Sequence, residues 1–213
     1  MLRNYVLGRI APVATRCAAL ATAALLVACT AKEPDQRSAT VDGTVHVCSS
    51  CHGAEGRSVS PTFPRLAGQQ KDYLEVQLKA FRDKTRADPH AHTYMWGMAA
   101  HLSDDTIAGI ANYYAAQAPV AGTPGNASDI AAGKKIFAEG IDAKGVPACM
   151  GCHGEHAEGN GQFPRLAGQH REYLEEQLVN FASSARANEI MHENSKNLAL
   201  EDAHAVAAFL SAQ

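Results

Sequence analysis

The amino-acid sequence predicts an all-α protein with two tandem domains of similar fold. Apolar side chains such as Leu74, Leu78 and Phe81 recur at helical spacing, and no stretch alternates convincingly between apolar and polar residues as a half-buried strand would. The seven residues 63–69 recur in the same order at 163–169, which indicates an internal duplication. A chain of 213 residues is long enough for two such units.

The duplication extends on both sides of the shared stretch, which reads Phe-Pro-Arg-Leu-Ala-Gly-Gln. Upstream, each half carries a Cys-x-x-Cys-His-Gly sequence. Downstream, the halves share five residues of a predicted helix: Tyr73, Leu74, Gln77, Leu78 and Phe81 in the first, and Tyr173, Leu174, Gln177, Leu178 and Phe181 in the second. Proline and glycine are concentrated at 119–127, so we place a linker there, between a first domain at 41–118 and a second at 128–213.

The first helix differs between the two halves. In the second half, Ser128 and Asp129 can cap a helix over 130–139 that ends at Gly140. In the first half, the helix before the cysteine pair is short and contains Gly43. We therefore expect the first domain to be less well packed at its N-terminus.

The last helix of each domain also begins differently. Ser103 can cap it in the first domain, where Ile107, Ile110 and Tyr114 form the predicted buried face. Ala199 stands at the equivalent place in the second domain and has no side-chain acceptor. We therefore expect this helix to begin less firmly.

The N-terminal segment has the features of an export signal. Arg3 and Arg9 precede an apolar run that ends Leu26-Val27-Ala28-Cys29, a pattern that resembles a bacterial lipobox. This predicts a lipoprotein signal peptide at 1–28, a lipid on Cys29 and a polar, flexible segment at 29–40. A cleaved signal without a lipid is one alternative. An uncleaved membrane helix is another, although the apolar run of about 15 residues is shorter than the roughly 20 that span a bilayer.

Export and charge limit the choice of partners. Either processing route places the domains outside the cytoplasm, in the bacterial periplasm for a lipoprotein, where cysteines can be oxidised or ligated. The formal charge is −3, and removing the three arginines of residues 1–28 leaves −6. Because binding to phosphates needs clustered lysine and arginine, this balance argues against nucleic acid as a partner.

The Cys-x-x-Cys-His motif of each half is the signature of covalent haem attachment. Two thiols on one helical turn can reach the two vinyl groups of a porphyrin, and the next residue can present its imidazole to the iron. In the first half these residues are Cys48, Cys51 and His52. In the second half they are Cys149, Cys152 and His153. The sequence therefore predicts two covalently bound haem c groups.

Three other interpretations of the cysteine pairs fit the sequence less well. A zinc ribbon places its pairs roughly 15–20 residues apart, whereas these pairs lie about 100 positions apart. A thioredoxin-like redox pair belongs to a βαβ unit, which this helical sequence lacks. Two disulfides fit the compartment, but they do not account for the histidine after each pair.

Each iron needs a second axial ligand, and two methionines have equivalent positions for it. Met95 and Met191 each lie seven residues before a leucine that precedes the last helix of their domain. A thioether ligand raises the reduction potential relative to two histidines. Met98 is a rival without a methionine counterpart. The other histidines within reach by sequence are more typical of a surface; they are His90, His92, His101, His192 and His204.

Further residues of the repeated stretch are candidates for the surroundings of the haem. The carbonyls of Pro64 and Pro164 are candidate acceptors for the second ring nitrogen of each ligand histidine. Arg65 and Arg165 are candidate partners of haem propionates, because a guanidinium matches a carboxylate. The equivalent residues Tyr73 and Tyr173 either line the haem pocket or serve only in packing.

Taken together, these residues resemble the dihaem cytochrome c4 family over nearly the whole chain from about Val41 to Gln213. The repeated Phe-Pro-Arg-Leu-Ala-Gly-Gln stretch and the spacing from Met95 to Leu102 and Ser103 carry the resemblance. It implies two class I cytochrome c domains related by a pseudo-twofold axis, with propionate edges facing each other across the interface. It also implies that Cys48, Cys51, His52 and Met95 hold one haem, and Cys149, Cys152, His153 and Met191 the other.

This resemblance implies an electron carrier and not an enzyme. The expected donor is a quinol–cytochrome c reductase or a dehydrogenase, and the expected acceptor is a terminal haem-copper oxidase or a reductase. The lipobox-like segment, and not the resemblance, predicts that a lipid on Cys29 anchors the carrier to a membrane. The alternative is a dihaem peroxidase or thiosulfate-oxidising enzyme with one open or replaceable haem ligand. The loop at 192–195 is more polar than its counterpart at 96–99 and is the feature that favours it. A third reading is a subunit docked on a membrane dehydrogenase.

Overall fold

The computed structural model describes residues 36–213 and is helical, as predicted. The predicted signal peptide at 1–28, the predicted lipid site Cys29 and residues 30–35 lie outside the described residues. In the first domain, the helices are α1 (Gln36–His52), α2 (Lys71–Arg82), α3 (Trp96–Ala99) and α4 (Asp104–Ala115). In the second, they are α5 (Ala127–Glu139), α6 (Met150–His153), α7 (Arg171–Ala182), α8 (Glu189–Ser195) and α9 (Leu200–Ser211).

Shorter elements complete the two domains. A π-helical turn at Ala91–Met95 leads directly into α3, and 3₁₀ turns occupy Ala54–Gly56 and Asp142–Lys144. Within the part of the chain that the structure describes, β pairing is limited to two isolated bridges, both in the second domain. No helix among residues 36–213 is long and apolar enough to cross a membrane.

Helix α1 is longer than predicted. It has 17 residues and runs without a break through the first cysteine pair to His52, so the expectation of a short helix before Cys48 was wrong. Residues 36–40, which the sequence placed in a flexible segment, are its first five residues. In the second domain the same region is divided, because α5 ends at Gly140 and a separate short helix carries the second cysteine pair.

The caps also depart from prediction in two places. Helix α5 begins at Ala127, because the side chain of Asn126 accepts hydrogen bonds from the N–H groups of Ser128 and Asp129. Helix α9 lacks a capping side chain at Ala199, as the sequence indicated. However, Asp202 reaches back to accept a hydrogen bond from the Ala199 N–H at 2.9 Å. The start of α9 is therefore fixed from within the helix.

Each domain has its own hydrophobic core. The first-domain cluster lies between α1, α2 and α4 and consists of Val45, Leu74, Leu78, Ile107, Ile110, Ala111 and Tyr114. The second-domain cluster lies mainly between α5, α7 and α9 and contains Phe137, Ala157, Ala167, Leu174, Val206, Ala207, Phe209 and Leu210. A third group, Phe81, Ala91 and Ala99, packs beneath the turn that carries Met95 and is called the loop cluster below.

A glycine allows the close approach of the first and last helices in each domain. In the second domain, a Cβ on Gly133 of α5 would lie 1.9 Å from the carbonyl oxygen of Ala205 on α9. In the first domain, a Cβ on Gly109 of α4 would lie 2.4 Å from Val41 on α1. The glycine therefore lies on the last helix of the first domain but on the first helix of the second domain. In both domains it allows the two helices to cross closely.

The two domains pack through the repeated stretch. The Gln69 side chain accepts from the Arg165 N–H at 2.7 Å and donates to the Arg165 carbonyl at 2.9 Å. Gln169 forms the same pair of hydrogen bonds with the backbone of Arg65, at 2.8 and 2.9 Å. Such reciprocal contacts are those of an isologous, twofold interface.

Candidate haem sites

The first cysteine pair lies on the last turn of α1. Cys48 and Cys51 are three residues apart and therefore share one face of the helix. Cys51 is exposed, whereas Cys48 is half-buried and packs on the first-domain cluster. The two sulfur atoms are thus presented at one edge of the core, as two thioether bonds to one porphyrin require.

His52, which ends α1, is oriented by the backbone. Its ring is buried, and Nδ1 lies 2.8 Å from the carbonyl oxygen of Pro64, as predicted. Because a carbonyl can only accept, Nδ1 carries the proton and Nε2 keeps the lone pair that iron needs. Burial lowers the pKa of His52 and outweighs the opposing effect of the Pro64 carbonyl, so the imidazole is held in its neutral, ligating form.

The second motif repeats this arrangement on a shorter helix. Cys149 precedes α6, which carries Cys152 and ends at His153. The Nδ1 atom of His153 donates to the carbonyl oxygen of Pro164 at 3.1 Å, and burial lowers the pKa of this histidine too. Burial raises the pKa of the Cys149 thiol to about 11. An environment that disfavours a thiolate suits an uncharged thioether.

A glycine follows each candidate ligand histidine and turns the chain. Gly53 and Gly154 have φ of 77° and 84°, in the left-handed region that side chains disfavour. A Cβ on Gly53 would also lie 2.8 Å from the backbone of Arg57. The turn reverses the direction of the chain after each histidine. The prolines of the repeated stretch can therefore contact the histidine rings.

The structure treats the two candidate methionine ligands differently. Met95 is half-buried and packs on both the first-domain cluster and the loop cluster, so it shares a core with Cys48. Met191 is half-buried on α8, and its N–H donates to the side chain of Asn188 at 2.9 Å. In the described chain, Met191 belongs to none of the three clusters. The rival Met98 is 60% exposed on α3.

Most of the remaining histidines have protein partners. His192, which follows Met191, has its Nδ1 atom 3.0 Å from the carbonyl oxygen of Phe181 and 3.1 Å from the Ser184 hydroxyl. His204 lies 3.1 Å from a carboxylate oxygen of Glu175. His92 packs edge-on against Trp96. These contacts account for the three side chains without a haem.

The two candidate propionate partners lie at the domain interface. The Arg65 guanidinium donates to the carbonyl oxygens of Gly168 and Ser58, the first of which belongs to the other domain. The backbone of Arg165 is held by Gln69, as described above. A role for either guanidinium at a propionate stays a prediction.

The sequence reasoning did not single out two buried arginines, Arg86 and Arg186. The Arg86 guanidinium donates to Gln77 at 2.8 Å within its own domain and to Gln177 at 3.0 Å in the other. Arg186 likewise donates at 2.8 Å to both Gln177 and Gln77. We call these four residues the interface network. The signal that could have identified the arginines is their separation of 100 residues, the same offset as in the repeated stretch.

Two tyrosines of the repeat also belong to this region of the interface. Arg186 donates to the hydroxyl of Tyr73 at 2.8 Å, and Arg86 approaches the hydroxyl of Tyr173 at 3.4 Å. Burial alone would raise the pKa of Tyr73. The positive charges of Arg186 and Arg86 outweigh burial and hold that pKa below its usual value. The hydroxyl groups of both tyrosines thus make contacts between the domains, and a place for their rings in the haem pocket stays a prediction.

The residues present fit a covalently attached haem in each domain. Each domain supplies two cysteines on one helical turn and a neutral histidine whose Nδ1 proton is engaged by a backbone carbonyl. Each domain also carries a half-buried methionine, whose place at the iron stays a prediction. This donor set is the one that thioether attachment and histidine–methionine ligation of iron require. By contrast, the described residues contain no cluster of histidine, cysteine and carboxylate groups suited to a bare metal ion.

Comparison with known proteins gives the same result. The family model described as "Cytochrome c" matches this chain twice, at residues 44–116 and 130–213. The two matches correspond to the two helical units and divide the chain in the proline- and glycine-rich stretch between them.

Individual relatives are similar over most of the chain. Cytochrome c-552 of Acidithiobacillus ferridurans is 43% identical over 166 residues, which cover 77% of this chain and 72% of that protein. A protein of Thiomonas intermedia named "Thiosulfate dehydrogenase electron acceptor" is 35% identical, with 78% of each chain covered. The solved structure of the cytochrome c4 of Acidithiobacillus ferrooxidans matches with a TM-score of 0.75 and 42% identity, covering 78% of this chain and 98% of that one.

Proposed function

The chain belongs to the cytochrome c family as a dihaem electron-transfer protein of the cytochrome c4 type, and from this premise we propose that it passes single electrons, in the bacterial periplasm, between a membrane respiratory complex and a terminal oxidase or reductase. It has two covalently attached haem c groups, one in each domain. Each haem supplies a centre that gains or loses one electron without breaking a bond.

The observation that carries this proposal is the pair of oriented histidines. His52 and His153 are buried and neutral, and each has its Nδ1 proton fixed on a proline carbonyl. A histidine held in this way keeps its place when the charge on the iron changes, so little reorganisation accompanies electron transfer. An iron that is also ligated by methionine has no open position for a substrate.

The residues that we assign to the two haems follow the duplication. Thioether bonds form through the sulfur atoms of Cys48 and Cys51 in the first domain and Cys149 and Cys152 in the second. The axial pairs are His52 with Met95, and His153 with Met191. Arg65 and Arg165 are placed at the interface where propionate edges are expected to meet. The chain's own contribution is to attach, orient and shield each haem.

The proposed location and partners follow from the export signal and from the function. A lipid on Cys29 would restrict the carrier to a membrane surface, where its donor and acceptor also lie. We propose a quinol–cytochrome c reductase or a dehydrogenase as the donor and a haem-copper oxidase as the acceptor. Recovery of one such complex in fixed ratio from solubilised membranes would instead support a docked subunit.

A thiosulfate-oxidising enzyme is the second candidate function. It is favoured by the polar surroundings of Met191, where Asn188 and Ser195 bind the backbone of the ligand residue. The Thiomonas relative is named for thiosulfate dehydrogenase, but as its electron acceptor. That name describes a carrier, which is the role that we propose here, with a different donor.

The two functions are separated by ligand binding and turnover. We expect the purified, haem-loaded chain to be low-spin, to show the weak red charge-transfer band of iron–methionine bonding, and to bind cyanide slowly. The chain should oxidise no thiosulfate on its own. A separate donor enzyme should reduce the haems of the chain quickly. High-spin haem that binds cyanide at once, or thiosulfate-dependent reduction without a donor, would contradict the carrier and support the enzyme.

A further inference from the structure

The twofold arrangement of the interface is broken at one buried position. Asp88 in the first domain corresponds to Asn188 in the second, at the same offset of 100 residues that relates Arg86 to Arg186. Asp88 is fully buried, with 0% of its surface exposed, whereas Asn188 is an exposed residue. The two side chains therefore perform different tasks on the segments that carry the methionine ligands.

In the first domain, the carboxylate joins the ligand segment to the interface network. One oxygen of Asp88 accepts from Nε of Arg86 at 2.8 Å, and both side chains are almost completely buried. The other oxygen lies 3.4 Å from the N–H of Ala91, the first residue of the turn that ends at Met95. Arg86 in turn binds Gln177 of the second domain. A short chain of contacts thus links the Met95 segment to the neighbouring domain.

Two further contacts reinforce this link. The indole N–H of Trp96, next to Met95, donates to the carbonyl oxygen of Arg86 at 2.8 Å. Near the start of the same segment, His90 lies 3.0 Å from a carboxylate oxygen of Glu176 in the second domain. The segment is also the longer of the two, because Met95 follows Asp88 by seven residues and Met191 follows Asn188 by three.

The second domain holds its ligand segment by local contacts. The Asn188 side chain caps α8 by accepting from the Met191 N–H, and His192 is bound to the carbonyl of Phe181 in its own domain. Among residues 36–213, no carboxylate lies within ion-pair distance of Arg186, whose guanidinium is satisfied by Gln77, Gln177 and Tyr73. Met191 is therefore positioned without using the interface network.

We propose that Asp88 is a positioning residue that fastens the Met95 segment to Arg86 in the domain interface, and that Asn188 has no such role. This inference rests on the proposed function, since it takes Met95 and Met191 as iron ligands. It makes the stability of the first iron–methionine bond depend on domain docking, while the second bond is independent of it. A change at the interface would accordingly be felt at one haem only.

The physical reason is that a carboxylate has two acceptor oxygens and a side-chain amide has one. With asparagine at position 88, the buried ion pair would be lost, and one oxygen could not accept from both Nε of Arg86 and the N–H of Ala91. Arg86 would keep its glutamine partners, as Arg186 does, but the Met95 segment would loosen. The exposed amide of Asn188 carries no such constraint.

The test compares isosteric substitutions in the haem-loaded full chain, with imidazole as a competing ligand for oxidised iron. Asp88→Asn is examined in a Met191→His background, in which Met95 is the one remaining methionine ligand. Loss of the iron–methionine charge-transfer band then reports displacement of Met95. We expect the affinity for imidazole to rise about tenfold, the factor that corresponds to about 1.4 kcal/mol.

The matched control exchanges the same two residue types in the other domain. Asn188→Asp, in a Met95→His background, should leave displacement of Met191 by imidazole unchanged within about twofold, since aspartate caps a helix as well as asparagine does. Gln177→Ala provides a test from the neighbouring domain. In the Met191→His background it should raise imidazole binding at the first haem, because Gln177 accepts a hydrogen bond from Arg86.

Failure of this inference can be distinguished from failure of the proposed function. An unchanged affinity in Asp88→Asn, or an equal rise for Asn188→Asp at the second haem, would overturn the inference. If Asp88→Asn does not accumulate with haem, the Arg86→Gln/Asp88→Asn double variant removes both charges, and it should weaken Met95 ligation in the same direction. A parent chain that lacks two charge-transfer bands would instead overturn the ligand assignment of the proposed function.

Discussion

At the scale of single residues, the site depends on how each proposed ligand is held. The prolines of the repeated stretch turn their carbonyls towards His52 and His153, which fixes the tautomer and leaves Nε2 free. The methionines are less alike, since Met95 is packed in two clusters and Met191 is held through its backbone. Ligand identity can therefore be tested separately in each domain.

Substitution of Met95 by histidine tests the first axial ligand. We expect Met95→His to remove about half of the iron–methionine charge-transfer absorbance and to lower the potential of one haem, because bis-histidine ligation has the lower potential. The measurement is a potentiometric titration followed optically. Met98→Leu is the matched control, because Met98 is exposed, and it should change neither quantity. Loss of the band in Met98→Leu would show that the wrong methionine had been assigned.

Sequence reasoning succeeded for residues whose roles are local. The spacing between His52 and Pro64 is short, and the turn at Gly53 brings them together, so the contact could be predicted from the chain alone. Arg86 could not be interpreted in this way. Its partners include Gln177, which is 91 residues away, and the contact exists only after the two domains have docked.

At the scale of helices, the two copies reach similar packing by different means. The close crossing of the first and last helices uses Gly109 in one domain and Gly133 in the other. The caps of the last helices differ as well, since Ser103 caps α4 directly and Asp202 fixes the start of α9 from inside the helix. Local signals predicted that helices exist, but not how neighbouring helices would complete them.

A single methyl group tests the crossing of α5 and α9. We expect Gly133→Ala to lower the free energy of unfolding by about 2 kcal/mol, because the new Cβ has no space and overpacking forces the backbone to move. The measurement is guanidinium unfolding of the haem-loaded protein. Gly43→Ala is the control, because nothing lies within 4 Å of a Cβ there. It should stabilise α1 by up to about 1 kcal/mol. Equal effects of the two substitutions would contradict the close crossing.

The contacts at the start of α9 predict that the free energy of unfolding depends on pH. Burial alone would raise the pKa of Asp202, but hydrogen bonds from Lys144 and from the Ala199 N–H outweigh it and hold that pKa below its usual value. A carboxyl whose pKa is depressed in the folded state contributes stability above its unfolded pKa, and the contribution is lost as the pH falls through the folded value.

Asp202→Ala should accordingly lower the free energy of unfolding by about 1 kcal/mol at neutral pH, and the difference from the parent chain should vanish in acid. Unfolding curves measured at a series of pH values test this. Ser103→Ala removes the equivalent cap without a charge, and its effect should be independent of pH. A difference at Asp202 that persists at low pH would show that the ionised carboxylate is not responsible.

At the scale of the whole molecule, the repeated stretch joins the domains as well as following the haem sites. Gln69 and Gln169 bind the backbone of the opposite arginine in a reciprocal pair of contacts. The sequence revealed the duplication and the fold of each copy, because both depend on short-range patterns. It did not reveal that the duplicated glutamines form the interface, since both copies must be present in their final places for the contact to exist.

Deletion of one interface side chain tests this arrangement. Gln169→Ala removes the two hydrogen bonds to the Arg65 backbone across the interface and a third from the His170 N–H. Because the Arg65 backbone is left without its partners, we expect a loss of about 1–3 kcal/mol in the free energy of unfolding. Gln117→Ala removes a hydrogen bond within the first domain, to the Tyr113 carbonyl, and is the control. The loss in Gln169→Ala should come with separate unfolding of the two domains. If both variants unfold in one unchanged step, the interface is not held by these contacts.

The central claim is that each domain carries one haem, bound through its cysteine pair and ligated by histidine and methionine. The most direct test is a potentiometric titration of the purified chain, followed optically, on material whose intact mass has been measured. The account predicts a mass with two haem increments, two one-electron steps and the charge-transfer band of iron–methionine bonding at both sites. A mass without two increments, or a high-spin iron in the oxidised protein, would contradict it.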